Sequence, residues 1–400
     1  GVASLVTDML HEGTAKRTSH DIADEFEFIG SQLIGQTGRE HTTLTFETLT
    51  RHWPRALGIF ADVIQNSVFP EEELSRIIRE EITNIRRLKD EPTALASQVT
   101  PLLIYGPQSP YGQPIHGTED SLSAITRGDL IAHYENHWQP SHATLAVVGG
   151  VSLSDVVAMA ESLFGAWENT RLPDQVPESL YPEKDQGPSI LNLLDKPGAA
   201  QSVIRVGTIG IPRNHPAFLS HLLLNYIFGG QFTARLNMNL RQDKGFSYGY
   251  NSSIHWHRKS SLIVAGGSVQ TGVTSEALAE TLKEFTELRL IRPVTEAEFV
   301  SGKSSLLQQL PSSFETPSQI LGQIANLVCF DLPLDYLQTL PDNLQAVSLA
   351  EVHQAAQDWL DPQSLVILVV GDKEVIVPEL MLLGLEIQTI DENGREVDSK

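Results

Sequence analysis

Residues 348–371, SLAEVHQAAQDWLDPQSLVILVVG, repeat the pattern of residues 126–149, TRGDLIAHYENHWQPSHATLAVVG, at one offset without gaps. Each copy opens with a Ser/Thr-x-x-Asp/Glu capping box, continues as a helix to a proline, and ends in an apolar strand followed by glycine. A supersecondary unit that recurs in this order predicts two similar α+β domains in tandem. At the common offset, the matched pairs include Leu145 with Ile367, Val148 with Val370, and Gly149 with Gly371.

Helical and strand periods continue outward from both copies of this repeat. In the first half, a Thr18-x-x-Asp21 capping box begins a helix that Gly30 ends, and alternation from Leu44 to Thr48 indicates a half-buried antiparallel strand. We expect each domain to be an α/β sandwich, in which an antiparallel-rich sheet is covered by helices. In the second half, the predicted strands lie near 190–194, 202–207, 248–254 and 261–265, and the predicted helices lie near 216–228, before Arg241, and near 278–288.

The length of the chain also favours two domains. Its 400 residues exceed the size at which a single core stops growing, roughly 250–300 residues. Residues 169–188 are rich in proline and charge and have no period, as is typical of a linker. We therefore expect a first domain over 1–170, a linker over 171–188, a second domain over 189–390 and a C-terminal tail over 391–400.

Charge and composition exclude several classes of protein. The chain has 28 Lys and Arg against 50 Asp and Glu, a net charge of −22, which argues against nucleic acid or an anionic membrane as its main partner. Its single cysteine, Cys329, excludes an intrachain disulfide and a Cys-rich zinc site. No apolar run approaches the roughly 18 residues that a membrane-spanning helix needs, so we expect no transmembrane segment.

The first residues give little information about the compartment. They run Gly1-Val2-Ala3-Ser4, without the basic segment of a secretory signal. Because the chain opens on glycine rather than methionine, we expect its own N-terminus and any targeting segment to be missing. The sequence does not specify the compartment; the expectation is a soluble protein of the bacterial periplasm or cytoplasm.

The opening residues carry a known catalytic motif in altered form. Residues 1–14, GVASLVTDMLHEGT, resemble the start of the insulinase/pitrilysin family of metallopeptidases, peptidase family M16, where the pattern is Gly-x-Ala-His-x-x-Glu-His-Met-Leu-x-x-Gly-Thr. In that pattern the two histidines hold Zn²⁺ and the glutamate acts on the metal-bound water. Here Ser4, Thr7 and Asp8 stand at those three positions.

The resemblance implies that the third zinc ligand of the family, a glutamate on a later helix, is replaced by Asn84. Because a neutral amide is a poor zinc ligand and neither the imidazoles nor the base remain, we expect no zinc in this chain. An alternative is a hard cation held by Ser4, Asp8 and Asn84, although Ca²⁺ and Mg²⁺ prefer several carboxylates. The simplest interpretation is that these polar side chains cap and solvate a helix.

The second half retains another functional segment of the family. Residues 240–250, LRQDKGFSYGY, resemble the Leu-Arg…Gly…Tyr segment of its non-zinc half, where the Arg and Tyr reach the substrate beside the metal. Gly245 can take the positive φ that ends a helix, so we expect Arg241 on the last helical turn and Tyr248 at the start of the next strand. A guanidinium and a phenol are donors suited to a carbonyl oxygen that becomes an oxyanion.

The resemblance thus implies half of a clamshell-shaped peptidase. This chain would be the zinc-less subunit of a heterodimer, supplying Arg241, Tyr248 and half of a chamber that encloses a peptide substrate. A zinc-bearing partner subunit would supply the metal and the base, and this chain alone would be inert. One alternative is a purely structural or scaffolding subunit of the same fold. Another is an independent hydrolase built around His133 and His137, which lie four residues apart on a predicted helix.

Overall fold

The computed structural model describes residues 1–169, 177–181, 189–361 and 364–397. The predicted linker over 171–188 lies mostly outside the described residues, as do residues 398–400 of the predicted tail. The helices are α1 (Val2–Met9), α2 (Ser19–Phe28), α3 (Trp53–Asn66), α4 (Glu71–Lys89), α5 (Pro92–Tyr105), α6 (Glu119–Ala124), α7 (Arg127–His137), α8 (Leu153–Phe164), α9 (Phe218–Phe228), α10 (Arg235–Asn237), α11 (Thr274–Thr286), α12 (Glu296–Gln309), α13 (Pro317–Cys329), α14 (Tyr336–Ala346), α15 (Leu349–Trp359) and α16 (Lys373–Leu380). The strands are β1 (Leu33–Thr37), β2 (Thr42–Phe46), β3 (Leu191–Asp195), β4 (Gln201–Gly210), β5 (Tyr250–Trp256), β6 (Ser261–Gln270), β7 (Val366–Gly371) and β8 (Ile387–Ile390).

Several helices begin where short-range signals in the sequence place them. The Thr18 hydroxyl accepts a hydrogen bond from the backbone N–H of Asp21, and the Asp21 carboxylate accepts one from the backbone N–H of Thr18. Because these bonds satisfy N–H groups that an isolated helix end leaves free, they fix the start of α2. The same reciprocal capping box starts α7, α12 and α15, which confirms the predicted helix start in both repeat copies.

Six strands of the described residues form one sheet, the large sheet, in the order β5-β6-β4-β7-β3-β8. Neighbouring strands from β5 to β7 pair antiparallel, whereas β3 pairs parallel with both β7 and β8. One face, which carries Ile204 and Val206 of β4, packs into the main core with residues of α9, α11 and α15. The prediction of an α+β fold with an antiparallel-rich sheet covered by helices is confirmed.

The opposite face of the large sheet is covered by α5. Leu95 and Val99 of α5 share a buried cluster with Val203 of β4 and with Leu368 and Val370 of β7. Sequence order alone placed this helix in the predicted domain over 1–170, but its apolar face packs on strands that come much later in the chain. The described residues within 88–113 therefore belong to the compact unit of the large sheet.

Two compact units account for the described residues, and neither is continuous in sequence. The first unit holds residues within 1–87, 114–177 and 313–329, and the second holds those within 88–113, 178–312 and 330–400. The first unit thus includes α13, which the predicted boundaries placed in the domain over 189–390. At the end of α13 the buried Cys329 lies with its Sγ 3.0 Å from Nδ1 of His41, which explains this membership.

The first unit contains a small sheet in which β1 pairs antiparallel with β2. The repeat predicted a further apolar strand before Gly149, matching β7 of the second unit, and this expectation is wrong. Residues 143–148 form no strand, and Leu145 and Val147 are 40% and 39% exposed. The physical reason is that a strand needs a hydrogen-bonding neighbour, and β1 and β2 of the described residues pair only with each other.

No helix within the described ranges has both the length and the apolar character that crossing a bilayer requires. This finding agrees with the absence of a long apolar run in the sequence.

Candidate functional site

The altered zinc motif lies on α1, in the first unit. One side of this helix, including Val6 and Met9, is buried in the core of the unit. Ser4 is 3% exposed and Thr7 is 1% exposed, whereas Asp8 is half-buried. Residues spaced i, i+3 and i+4 are neighbours on a helix surface, so the three altered positions remain together as the sequence predicts.

These polar side chains are bonded to one another and to two neighbouring segments. The Ser4 Oγ lies 3.0 Å from Nδ1 of His116 and also donates to a carboxylate oxygen of Asp8 over 3.4 Å. The Thr7 hydroxyl accepts a hydrogen bond of 2.7 Å from the hydroxyl of Thr37 on β1. The hydroxyls that replace the family's first histidine and glutamate are therefore committed to contacts within the protein.

A cavity of about 390 Å³ opens beside α1. The last residues of β1 and the turn that follows it form one wall of this front cavity. β1 pairs with β2 and with no other described strand, so its second edge has no strand partner among the described residues. The front cavity is lined by Ser4, Asp8, Gly35, Gln36, Thr37, Gly38, His41, Thr43 and His116.

Asp8 is the most perturbed group in the front cavity. Burial in the first place, and the negative charge of Glu81 in the second, raise the pKa of its carboxyl to about 6. His116 and the hydrogen bond from Ser4 act in the opposite direction without cancelling these effects. Glu81 itself has one carboxylate oxygen that is buried with no hydrogen-bond partner among the described residues.

The structure does not bring Asn84 to the front cavity. Asn84 lines a different surface depression on α4 and accepts a hydrogen bond from Arg87. Glu81 lies on the other side of the helix, in register with the buried Ile77 and Ile85, and its charge acts on Asp8. Counting from the motif missed Glu81, but the four-residue spacing of the buried isoleucines identifies its face of α4.

The residues present around the front cavity do not fit a zinc ion. Ser4 and Thr7 offer neutral hydroxyls that are already bonded, and Asp8 is the single carboxylate that lines the cavity. Two imidazoles also line it, but Nδ1 of His116 lies 3.0 Å from the Ser4 hydroxyl and Nδ1 of His41 lies 3.0 Å from the Cys329 sulfur. Within the described ranges no three His, Cys, Asp or Glu side chains come together so as to hold a metal ion. The alternative of a hard cation on Ser4, Asp8 and Asn84 also loses its third ligand, because Asn84 lies elsewhere.

The retained Arg and Tyr lie in the second unit. Arg241 is in the π-helical turn Met238–Asp243 that extends α10, and Gly245 ends this turn with a φ of +68°, as the sequence predicts. The guanidinium carbon of Arg241 lies 4.6 Å from the ring centroid of Phe232, a cation–π contact. No carboxylate of the described residues forms an ion pair with Arg241.

Tyr248 lies in the turn before β5 rather than on the strand. The expectation that it starts the strand is wrong by two residues, since ladder pairing begins at Tyr250. The turn is held by the Ser247 hydroxyl, which donates to the carbonyl oxygens of Ser268 at 2.7 Å and Gly249 at 2.8 Å. Tyr248 is 90% exposed, so its phenol projects from an anchored backbone into solvent.

His133 and His137, the histidines of the alternative hydrolase site, lie beside each other on α7. The rings of His133 and His137 lie 4.3 Å apart on α7. Burial lowers the pKa of His133 to about 4, with a further contribution from the charge of His137. Because no third metal-binding side chain joins them among the residues described, the structure does not support a rebuilt catalytic site at this position.

Comparisons with known proteins agree with the motifs. The family model described as "Peptidase M16 inactive domain" matches residues 124–306, and the one described as "Insulinase (Peptidase family M16)" matches residues 1–100. The chain is 28% identical over 311 residues to an "Uncharacterized zinc protease" of Rickettsia felis, covering 78% of this chain and 73% of the relative. It is 27% identical over 374 residues to bovine "Mitochondrial-processing peptidase subunit beta", covering 88% of this chain and 73% of that protein.

A solved structure has the same fold over nearly the whole chain. The peptidase M16 inactive domain from Pseudomonas fluorescens superposes with a TM-score of 0.84 at 25% identity, covering 93% of this chain and 88% of that chain. Its two-domain fold, the two family models and the zinc protease relatives agree with the altered motif on α1 and the retained Arg-Gly-Tyr segment. The chain is a member of peptidase family M16.

Proposed function

We propose that this chain is the non-zinc subunit of a two-chain zinc metalloendopeptidase. In this proposal Arg241 and Tyr248 contact the peptide next to the bond that is cleaved, and a zinc-bearing partner of the same family completes the enzyme. One relative supports an assembly of this kind, since the bovine protein is named as a subunit of a processing peptidase.

The observation that supports the proposal is that Tyr248 is exposed and that Arg241 has no carboxylate partner among the described residues. Tyr248 is 90% exposed on a turn that Ser247 anchors, and Arg241 has a contact with an aromatic ring but no carboxylate partner among the described residues. A charged or polar side chain held in place without a partner in its own chain is available to a ligand. A scaffold has no evident need for this pair.

The chemistry of the pair suits the cleavage of an amide. When water adds to a peptide carbonyl, negative charge develops on its oxygen, and hydrogen-bond donors already in place stabilise that charge. Arg241 offers a permanent cation with a planar set of N–H groups, and Tyr248 offers one O–H. Zinc held by the partner would activate the attacking water. This chain would bind the carbonyl and keep it oriented.

The first unit contributes a second feature that suits a peptide. Residues 35–37 of β1 line the front cavity, and this strand pairs with β2 alone among the described strands. Addition of a strand to an open sheet edge is a common mode of peptide recognition. An extended peptide could therefore pair with the second edge of β1.

The proposal is tested in the complex of this chain with the zinc-bearing subunit that co-purifies with it from the native source. Arg241→Ala and Tyr248→Phe should each lower kcat by about 10²–10³, the cost of removing one oxyanion donor, while assembly measured by analytical ultracentrifugation stays unchanged. Steady-state peptide cleavage provides the rate, and metal analysis of each separated chain provides the location of the zinc.

Arg258→Ala is the matched control, because Arg258 is exposed in the same unit and pairs with Asp331 at 3.3 Å. It should leave kcat unchanged. Full activity of a complex that carries both Arg241→Ala and Tyr248→Phe would favour the scaffolding alternative. Stoichiometric zinc together with peptide cleavage by the isolated chain would contradict both readings.

A further inference from the structure

Arg205 is a charged residue in the middle of the large sheet. It lies on β4 between Ile204 and Val206, whose side chains enter the main core, so its own side chain points to the opposite face. That face is covered by α5 on either side of Arg205. Val203 packs with α5, and a Cβ on Gly207 would lie 2.9 Å from Ile104 of α5.

Arg205 is paired with a glycine on the neighbouring strand. Across the ladder, Arg205 faces Gly266 of β6, and Gly266 faces Asn251 of β5. One N–H of Arg205 donates to the carbonyl oxygen of Ile204 at 3.0 Å, and a Cβ on Gly266 would lie 2.0 Å from that same oxygen. The missing Cβ at Gly266 therefore allows the backbones of β6 and β4 to approach closely beside Arg205, and the next residue of this row, Asn251, is exposed.

Arg205 lacks a countercharge among the described residues. None of the described carboxylates forms an ion pair with it, and its hydrogen bond to Ile204 uses a single N–H out of five. Burial lowers the pKa of the guanidinium, with a smaller opposite effect from Tyr250. A half-buried charge is ordinarily paired, and this chain has 50 acidic residues from which a partner could have come.

The strand ladder connects Arg205 to the segment that follows Tyr248. Arg205, Gly266 and Asn251 form a row across three neighbouring strands. Asn251, the last residue of this row, follows Tyr248 by three residues. Two strand spacings separate Arg205 from that row's end, a distance of about 9–10 Å. A peptide residue bound at Tyr248 and a residue a few positions along the same peptide can therefore reach both groups.

We propose that Arg205 binds a carboxylate of the peptide, either its C-terminal group or an Asp or Glu side chain. The inference rests on the proposed peptide-binding function and adds a preference for acidic ligands at one subsite. The planar N–H fork of arginine matches a carboxylate in two parallel hydrogen bonds, which a lysine cannot reproduce.

The test uses the full chain and fluorescent peptides that differ in one charge. One pair shares a sequence and ends in a free carboxylate or an amide, and a second pair is amidated and carries an internal Glu or Gln. Fluorescence anisotropy should show at least tenfold tighter binding of one acidic member over its neutral counterpart. The pair that shows this difference identifies which source of carboxylate is bound.

Arg205→Gln should abolish the preference, and Arg205→Lys should leave only part of it. Arg258→Gln, the same change of charge at an exposed position, should leave it intact. Far-UV circular dichroism checks folding, and if Arg205→Gln does not fold, a full preference in the folded Arg205→Lys variant counts against the proposal. Equal binding of acidic and neutral peptides by the wild type, or a preference that survives Arg205→Gln, overturns this inference alone. Failure of the wild-type chain to bind any of the peptides overturns the peptide-binding function with it.

Discussion

At the scale of single residues, Asp8 shows what happened when the zinc motif was lost. Its carboxyl is half-buried on α1 near the charge of Glu81, and the opposing effects of His116 and of the Ser4 hydrogen bond are smaller than those of burial and Glu81 together. Burial in the first place, and Glu81 in the second, raise the pKa of Asp8 to about 6. At neutral pH the folded chain therefore holds an ionised carboxylate in surroundings that favour the protonated form.

Asp8→Asn should stabilise the chain at neutral pH. Because the pKa of Asp8 is higher in the folded state than in the unfolded state, the folded form takes up a proton that stabilises it below about pH 4, and this contribution is lost as pH rises through about 6. The shift corresponds to about 2–3 kcal/mol of unfolding free energy. Urea unfolding at pH 7.5 should show a gain of this order for the variant, which disappears near pH 4.

Asp21→Asn is the control with the opposite sign. Bonds from the backbone and hydroxyl of Thr18 lower the pKa of Asp21, so that carboxylate stabilises α2 above its unfolded pKa and ceases to do so as pH falls. Its variant should be less stable than the wild type at neutral pH and should approach it in acid. A gain for Asp8→Asn that does not change with pH would show that its origin is not ionisation.

The contrast between Glu81 and Asn84 shows how far residue-level prediction reaches. Counting along the chain from a motif tolerates no insertion or deletion, and it arrived at Asn84. Helix periodicity is a local physical signal, and it places Glu81 on the buried side of α4 with Ile77 and Ile85. The sequence contains no such signal for Arg205, because the surroundings of its side chain depend on how strands that are distant in the sequence pair with β4.

At the scale of elements, the turn from α10 to β5 determines where Arg241 and Tyr248 lie. Gly245 has a φ of +68° with nothing within 4 Å of its missing Cβ, so a substitution there meets backbone strain and no steric clash. Gly245→Ala should lower the free energy of unfolding by about 1–2 kcal/mol. In the two-chain complex it should also lower kcat, because the relaxing turn displaces both donors.

Gly384 provides a matched comparison for this turn. It too has a φ of +68° and open space around its missing Cβ, but it ends the short helix Met381–Leu383 far along the chain from the Arg-Tyr segment. Gly384→Ala should cost a similar unfolding free energy in chemical denaturation and leave kcat unchanged. Equal loss of kcat in both variants would mean that general destabilisation, and not the geometry of the turn, limits the rate.

Elements that are fixed by interactions between residues close in the sequence were predictable. Elements that need a partner far away in the sequence were not. The capping boxes at Thr18, Thr126 and Ser348 act within four residues, and the helices begin there. The predicted strand before Gly149 has the same apolar pattern as β7, yet residues 143–148 do not pair. Periodicity describes how a strand would bury its side chains, but a ladder also needs a second strand.

At the scale of the whole molecule, the packing of α5 on the large sheet predicts a cooperative unit that ignores sequence order. Amide hydrogens of α5 should exchange with the same opening free energy as those of β4 and β7, because Leu95 and Val99 share their buried cluster. Val99→Ala should reduce protection of α5 and β4 by about 2 kcal/mol and leave α3 unaffected. Denaturant-dependent exchange read by mass spectrometry measures each segment.

The result that would contradict this assignment is exchange of α5 together with α3 of the first unit. The sequence could not reveal the unit of α5, since a helical period states which face is apolar and not which sheet covers it. The repeat predicted two related units, and the helix and strand of its second copy are present as α15 and β7. The exchange of residues 88–113 and 313–329 between the predicted domains was visible only in the packing.

This interleaving affects how the polypeptide is made. A ribosome releases α5 long before it translates β4 and β7, so the apolar face of that helix has nothing to cover it at first. The first unit is incomplete until α13 has been synthesised, and α13 follows most of the second unit in the chain. Neither unit can mature while the other is untranslated, and the nascent chain is an expected client of chaperones that shield apolar surface during synthesis.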